Sequence, residues 1–316
     1  RRRHTRLQGD WSSDACSDPS EKRTLNFLTA RAGADAYTHE IAEHQPSLLD
    51  LLKRFPSCSP PLDGLLDALP ALQPRFYSAA SSGGPFGSGQ VQLVMTVVRF
   101  KTRYGTRNGV ATSWLERLVQ PLLSKPEGGP GASAPPLRVP LFLRRMPEFK
   151  PPAQLSAPLV MVGPGTGVAP FRAFLHARST AAAAASTGGA TASPIGASVL
   201  YFGCRREDED FLFRKDLEGF VAEGVLGRLR IAFSRASETG VYVQDLMRED
   251  GAELGRMLLS GGYVFVCGDG GKMADAVHAA LAAALCAADP ELGEAAAAAK
   301  LAQMQAQGRY VRDVWS

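Results

Sequence analysis

Residues 159–171 read Leu-Val-Met-Val-Gly-Pro-Gly-Thr-Gly-Val-Ala-Pro-Phe, and the fold of the chain turns on this stretch. Leu159–Val162 is an apolar run without polar alternation, the pattern of a short strand buried on both faces. Gly163, Gly165 and Gly167 follow, and a helical spacing of Phe171, Phe174 and Leu175 starts at about Pro170. A strand that runs through a glycine-rich turn into a helix aims several backbone N–H groups, and the positive end of a helix dipole, at one place. An anion such as a nucleotide phosphate is stabilised there. The competing reading is a tight turn in which glycine only relieves backbone strain; the alternating glycines with Thr166 favour the phosphate. The spacing is not Gly-x-Gly-x-x-Gly, and no acidic residue waits about twenty positions later to hold a ribose hydroxyl, so the ordinary NAD fingerprint is absent.

A chain of 316 residues has room for two domains with substantial cores. The formal charge of +4 is mild and no long Lys/Arg run exists, so nucleic acid is not the expected partner. The cysteines at 16, 58, 204, 267 and 286 are odd in number, scattered and without C-x-x-C. That pattern fits a reducing, cytoplasmic setting and points away from a disulfide framework and from a zinc or other metal site. The longest apolar runs are Ala-rich, short and interrupted, which excludes an expected membrane segment. No signal peptide opens the chain, whose first residue is Arg1; the expectation is the C-terminal part of something longer.

Residues 1–20 are polar and patternless, and are expected to be mobile. Residues 21–70 show helical leucine spacing punctuated by prolines and read as a small helical layer. From Leu72 the period changes: Pro74–Ala79, Val91–Phe100 and Leu137–Leu143 read as strands, with a turn at Ser81–Pro85, a helix at Ser113–Leu123 and a loop at Lys125–Pro136. These features over 71–152 suggest a small antiparallel barrel. Over 153–316 strands and helices alternate, which implies a mostly parallel, doubly wound α/β sheet. Ser179–Ala197, rich in Ala, Ser, Gly and Thr, reads as a surface loop, and the residues after Gly308 as a tail.

Candidate site residues gather at strand ends. Arg75, Tyr77 and Ser78 offer a charge, a ring and a hydroxyl, a set suited to an aromatic cofactor with a diphosphate; a barrel strand with a snorkelling arginine explains them equally simply. Gly109–Thr112 leads a second helix, with Thr112 or Ser113 as its cap, and is a second possible diphosphate seat. Arg205 and Arg206 follow one strand and Ser234-Arg235 another, where an NAD site would carry an acid. That suggests a phosphate on the ribose, hence NADPH, although Glu207–Asp210 could neutralise the first pair. Cys267 and Asp269 lie on the same ligand edge, and Asp313 and Trp315 share a strand face in the tail. His176 and His278 sit on Ala-rich helices and read as structural.

RFYSAASS, GVATSWL, MVGPGTGVAPF, YFGCRREDEDFLFRKDL, AFSR, VYVQDL, VFVCGDGGKM and RYVRDVWS occur in an order that resembles the FAD/NADPH half of the diflavin reductases, whose fold is that of ferredoxin–NADP reductase. The resemblance runs from about Glu21 to Ser316. Within the family, LLDLLKRFPSCSPPLDGLLDALPALQPRFYSAASS is most similar to the methionine synthase reductase branch, with the NADPH–haemoprotein reductases as the alternative. The resemblance implies a partial helical connecting segment at 21–70, an FAD-binding barrel at 71–152 and an NADPH-binding domain at 153–316. It implies hydride transfer from NADPH to FAD, then electrons through FMN to a protein acceptor such as methionine synthase. FMN would belong to a flavodoxin-like domain of which no trace precedes residue 20.

Residue by residue, the resemblance implies that Arg75 holds the FAD diphosphate, that Phe76 belongs to the same motif, that Tyr77 stacks on the flavin and that Ser78 bonds near its N5. Gly109, Val110, Ala111 and Thr112 would seat the diphosphate, and Phe100 would lie where relatives place a tyrosine on adenine. Gly165, Thr166 and Gly167 would hold the NADPH diphosphate; Arg205, Ser234, Arg235, Tyr242 and Gln244 would surround the 2′-phosphate, with Asp269 on the NADPH side. Ser78, Cys267 and Asp313 would line the hydride path and Trp315 would cover the flavin. Gly240 stands where the family has a lysine, and Ala276 where it has an aspartate, which puts those contacts in doubt. A different class of reading, a nucleotide-binding module that no longer holds FAD, is separated from this one by flavin content.

Overall fold

The residue run Leu159–Val162 is buried at every position, because it forms the middle strand of a sheet covered on both sides. The computed structural model describes residues 15–82, 90–123, 137–187, 194–236 and 239–315. Its strands are β1 (Arg99–Thr102), β2 (Gly105–Asn108), β3 (Leu159–Val162), β4 (Ser198–Cys204), β5 (Arg228–Phe233), β6 (Tyr263–Asp269) and β7 (Tyr310–Trp315). The chain divides into two compact units, Arg1–Phe76 with Val97–Pro135 and Tyr77–Thr96 with Pro136–Ser316.

In the second unit the strand order is β5-β4-β3-β6-β7, with every neighbouring pair parallel. Leu159 and Met161 pack into a layer with Phe171, Leu175, Leu217 and Phe265. Val160 and Val162 pack into the opposite layer with Leu246, Leu254, Val277 and Leu281. Each such side chain contributes roughly 1.5–3 kcal/mol of burial, so the strand cannot slip by one residue without exchanging its two faces. The order reverses at β3: β4 and β5 are added on one side, β6 and β7 on the other. A ligand crevice opens at the carboxyl ends of strands at such a switch point.

The glycine turn is shaped by that switch. A Cβ on Gly163 would lie 2.6 Å from the Gly167 carbonyl oxygen, and one on Gly167 would lie 2.1 Å from the Cys267 carbonyl oxygen. The turn after β3 therefore rests directly on the backbone of β6. Gly165 has open space but a φ of 56°, so conformation rather than room demands glycine there. A short 3-10 turn, Gly165–Val168, leads into the helix Ala169–Thr187.

That helix corrects one expectation: Ser179–Thr187 continues it instead of forming a loop, because alanine is the best helix former. Residues 188–193 of the tract lie outside the described residues. The strand face read in the tail is present, since Tyr310–Trp315 pairs with β6 from Val264↔Tyr310 to Asp269↔Trp315. The extended readings of Pro74–Ala79, Val91–Phe100 and Leu137–Leu143 are mostly overturned. An isolated bridge joins Ala79 to Leu93, Arg99–Thr102 pairs with β2, and Leu137–Leu143 is not assigned to a strand. Apolar alternation marks a face, but a strand exists only where a partner offers hydrogen bonds. The expected turn at Gly83–Pro85 and loop at Lys125–Pro136 lie outside the described residues.

The first unit holds the helices Pro19–Thr29, Leu48–Arg54, Leu62–Ala68 and Val110–Leu123. The first begins inside the stretch expected to be patternless, capped by Asp18, whose Oδ1 accepts from the N–H groups of Ser20 and Glu21. Ser47 and Asp50 form a capping box, and Asp50 also receives Arg107 from β2. Cys16 and Cys58 form a disulfide, which corrects the expectation of none. A local antiparallel bridge brings two residues 42 apart to a Cα separation of 4.1 Å, an approach that sequence spacing does not announce.

Gly167→Ala is expected to destabilise the second unit by about 3 kcal/mol or more, and Gly165→Ala by only about 1 kcal/mol. Urea unfolding followed by circular dichroism measures both; equal losses would show that the contact with Cys267 does not hold the turn.

Candidate functional site at the carboxyl edge of the sheet

Each strand of the parallel sheet delivers a candidate residue to one edge. After β3 come Gly165, Thr166 and the buried Gly167 at the start of the helix Ala169–Thr187, which supplies a dipole and a cradle without side chains. After β4 and β5 two backbones run together: Ser234 N–H donates to the Cys204 carbonyl and Arg235 N–H to the Arg205 carbonyl, both at 2.9 Å. Ser234 Oγ also reaches the Cys204 carbonyl, at 3.3 Å. A cavity of about 320 Å³ opens there, lined by Arg206, Glu207, Asp208, Phe233, Arg235 and Ala236.

The charges around that cavity are selective. Within β5, Arg228 is paired with Asp250 and Glu253, and Arg230 with Glu249 and Asp250. Arg206 lies 3.7 Å from Glu209, and Glu207 is drawn to Arg214. Asp210 spends one carboxylate oxygen on the backbone N–H groups of Arg205 and Arg206. The exposed side chains of Arg205 and Arg235 make no ion pair among the described residues. Two uncompensated guanidinium groups beside an open cavity fit a bound phosphate. Tyr242, exposed, precedes the helix Val243–Glu249, and Gln244 lies in its first turn. Gly240 has a φ of 59°, and a Cβ there would lie 2.6 Å from the Ser234 carbonyl oxygen, which explains why no lysine stands at this position.

At the far side of the switch, Cys267 on β6 faces Asp313 on β7, with Sγ 4.0 Å from Oδ2. Ser78 Oγ donates to the same Oδ2 at 3.0 Å. Three residues separated by up to 235 positions thus meet on one carboxylate. Burial pushes the Cys267 thiol up to about 12; the Asp313 charge adds to this and the Ser78 hydroxyl opposes it. Asp269 ends β6, its Oδ1 accepting from Gly271 N–H at 2.9 Å, and Trp315 pairs beside it at 46 % exposure.

Most of the remaining candidates belong to the first unit. Arg75 and Phe76 are exposed, Arg75 donating to the Gln73 carbonyl, and Phe100 is exposed on β1. The helix after Gly109 begins at Val110, so Thr112 and Ser113 are in its first turn and do not cap it. Thr112 is buried, and its Oγ1 accepts from Val98 N–H at 3.1 Å. A Cβ on Gly109 would lie 2.8 Å from Val98 Cβ, so the helix start sits against the residue just before β1 and its N–H groups remain the polar feature of the turn. Tyr77 and Ser78 are half-buried in the second unit. Arg206, read beside Arg205 at the strand end, lines the cavity; sequence reading missed Arg172, whose only signal was a charge within Phe171, Phe174 and Leu175.

Cys267 is expected to resist iodoacetamide at pH 8, where a thiol with a pKa of about 12 is ionised in roughly one molecule in 10⁴. Asp313→Asn removes a negative charge, lowers that pKa and speeds alkylation; an unchanged rate, mapped by mass spectrometry, would exclude Asp313 as a cause.

Comparison with known proteins is consistent with this layout. The family model described as "FAD binding domain" matches residues 13–114, and that described as "Oxidoreductase NAD-binding domain" matches residues 161–279. The chain is 39 % identical over 319 residues to methionine synthase reductase of Homo sapiens, covering 96 % of this chain and 44 % of that protein. It is 36 % identical over 304 residues to NADPH–cytochrome P450 reductase of Sus scrofa, covering 95 % of this chain and 42 % of that protein. The chain thus spans less than half the length of these relatives. With both domain matches in this order, the chain is similar to the FAD- and NADPH-binding part of these relatives.

Proposed function

We propose that the chain is the NADPH-oxidising, FAD-carrying part of a flavoprotein reductase that feeds electrons through FMN to a protein acceptor. The observation that carries this reading is the meeting of Ser78, Cys267 and Asp313 at the same sheet edge as the glycine turn and the unpaired Arg205 and Arg235. When bound, NADPH supplies a hydride and FAD accepts it and releases single electrons, chemistry that belongs to the cofactors.

The residues set geometry and charge. Gly165, Thr166 and Gly167 present backbone N–H groups to the NADPH diphosphate. Arg205, Ser234, Arg235, Tyr242 and Gln244 select the 2′-phosphate, and Asp269 borders the same ligand. Ser78 keeps its proton on the bond to Asp313 Oδ2, and the buried Cys267 stays a neutral thiol, so the path holds one negative charge, on Asp313. Trp315 guards the flavin and moves for the nicotinamide. For FAD we assign Arg75 to the diphosphate with Gly109, Val110, Ala111 and Thr112, Tyr77 to stacking, and Phe76 and Phe100 to flanking contacts. We keep the reading of an antiparallel FAD-binding barrel over 71–152, with 21–70 as a connecting helical segment and 153–316 as the NADPH domain.

For the acceptor we favour methionine synthase, on the similarity to methionine synthase reductase; a haemoprotein acceptor is the alternative that the cytochrome P450 reductases support. Among the described residues no helix is long and apolar enough to cross a membrane. We read the location as cytoplasmic, with three free cysteines in favour and the Cys16–Cys58 bond against. The sparse strand pairing in the first unit favours one rival, a nucleotide-binding module that does not hold FAD.

The test begins with flavin. The purified chain supplied with FAD is expected to turn yellow and to be bleached by NADPH without oxygen; a chain that takes up no FAD would leave the rival standing. Arg235→Ala, which removes charge-assisted bonds worth about 1.5–3 kcal/mol, is expected to weaken NADPH binding about ten- to hundredfold and leave NADH binding unchanged. Trp315→Ala is expected to loosen the preference for NADPH over NADH; unaltered selectivity would remove Trp315 from the role given to it.

A further inference from the structure

Arg172 stands in the first turn of the helix Ala169–Thr187, directly after the glycine turn, yet it is only 6 % exposed. Its guanidinium is engaged on several sides. Nε donates to Asp216 Oδ2, Nη1 donates to the Ala80 carbonyl at 2.8 Å and to Gln92 Oε1, and Cζ lies 4.7 Å from the centre of the Phe213 ring. Ala80 and Gln92 are themselves joined: Ala80 N–H donates to the Gln92 carbonyl at 2.8 Å, and Gln92 N–H donates to Ser81 Oγ at 3.0 Å. The Ala79–Leu93 bridge continues the pairing. Ser78, which donates to Asp313, lies two residues before Ala80, at most about 7 Å along the chain.

A buried guanidinium requires a counter-charge, and Asp216 meets that need by itself. The bonds to Ala80 and Gln92 go beyond neutralisation. We propose that Arg172 is the positioning residue for Ser78: it clamps the Ala80–Gln92 pairing to the helix that leaves the phosphate turn, and so holds the Ser78 hydroxyl on Asp313. The inference rests on the reading of Ser78 and Asp313 as hydride-path residues. It makes the cradle for the NADPH diphosphate and the hydroxyl of the hydride path parts of one braced element. A shift of the turn is then carried to Ser78 without passing through the sheet.

The test compares Arg172→Ala, Arg172→Lys and Asp216→Asn, with Arg172→Ala also combined with Ser78→Ala. Amide hydrogen exchange of the chain without added cofactor is the first readout. Arg172→Ala is expected to speed exchange about tenfold or more in 78–82 and 90–94 while the sheet stays protected; equal acceleration throughout the unit would overturn the clamp. The second readout is anaerobic reduction of bound FAD by NADPH. Arg172→Ala is expected to slow it about tenfold and leave the Kd of 2′,5′-ADP within about twofold, and in the Ser78→Ala background it is expected to add almost nothing. Additive losses would mean that Arg172 acts on stability alone. Asp216→Asn, which keeps the Ala80 contact, is expected to lower stability without slowing reduction, and slowing equal to that of Arg172→Ala would also overturn the proposal. Should Arg172→Ala not fold, Arg172→Lys is read in the same way, since it keeps a charge opposite Asp216 but lacks the second arm. If the unmodified chain does not pass hydride to FAD, the functional reading fails while the exchange data still decide the clamp.

Discussion

The approach of Gly167 to the Cys267 carbonyl, too close for even a methyl group between them, is the constraint on which the second unit depends. It presses the turn that leaves β3 against the backbone of β6 at the point where the strand order reverses. Because the turn is held there, the helix Ala169–Thr187 starts beside the strand that carries Cys267, and Asp313 on β7 is the register partner of that cysteine. A phosphate cradle and a thiol–carboxylate pair therefore share an edge as a matter of topology. No loop has to be long or mobile to bring them together.

Charge is distributed along the same logic. β5 carries Arg228 and Arg230 in its interior, and acids from the neighbouring helices, Glu249, Asp250 and Glu253, neutralise both. Arg235, just past the carboxyl end of that strand, has no such acid among the described residues. An exposed guanidinium costs little in water, so leaving it uncompensated is cheap for folding and useful for a dianionic ligand. At the other end of the edge the balance is reversed. Cys267 is buried, its thiol raised, and the local negative charge is confined to Asp313, which a hydroxyl already engages. Uncompensated positive charge thus lies where a phosphate would bind, and neutral or hydrogen-bonded groups lie where a hydride would pass.

Much of the sheet was legible in the sequence because a parallel strand buried on both faces leaves a run, not an alternation, and because each run was followed by its turn residues. Leu159–Val162 was read with its observed bounds, and the parallel order of the sheet follows from the alternation read over 153–316. The strand-end arginines were legible for the same reason, since a residue just after a parallel strand is placed by topology alone. What was not legible depends on partners. The strand face of Asp313 and Trp315 was legible, but its pairing with β6 was not. Leu137–Leu143 has the composition of a strand and is not one. Cys16 and Cys58 are joined by a backbone bridge that no spacing rule anticipates.

Arg172 shows most clearly where such reading stops. Its partners come from Ala80, Gln92, Phe213 and Asp216, up to 92 positions away from it, so no window of sequence contains the arrangement. The signal that was present, a charge embedded in a buried apolar turn, says only that some partner must exist. An ion pair would satisfy that demand with a single acid. The additional backbone carbonyl and side-chain amide convert a solvation requirement into a mechanical link, because a guanidinium has donors in fixed directions and cannot follow one partner without moving the others. A lysine could neutralise Asp216 but could not fix the angle between the helix and the Ala80–Gln92 pairing. The residue type therefore carries the argument: arginine at this place is explained by the need to brace two elements, and charge alone does not explain it.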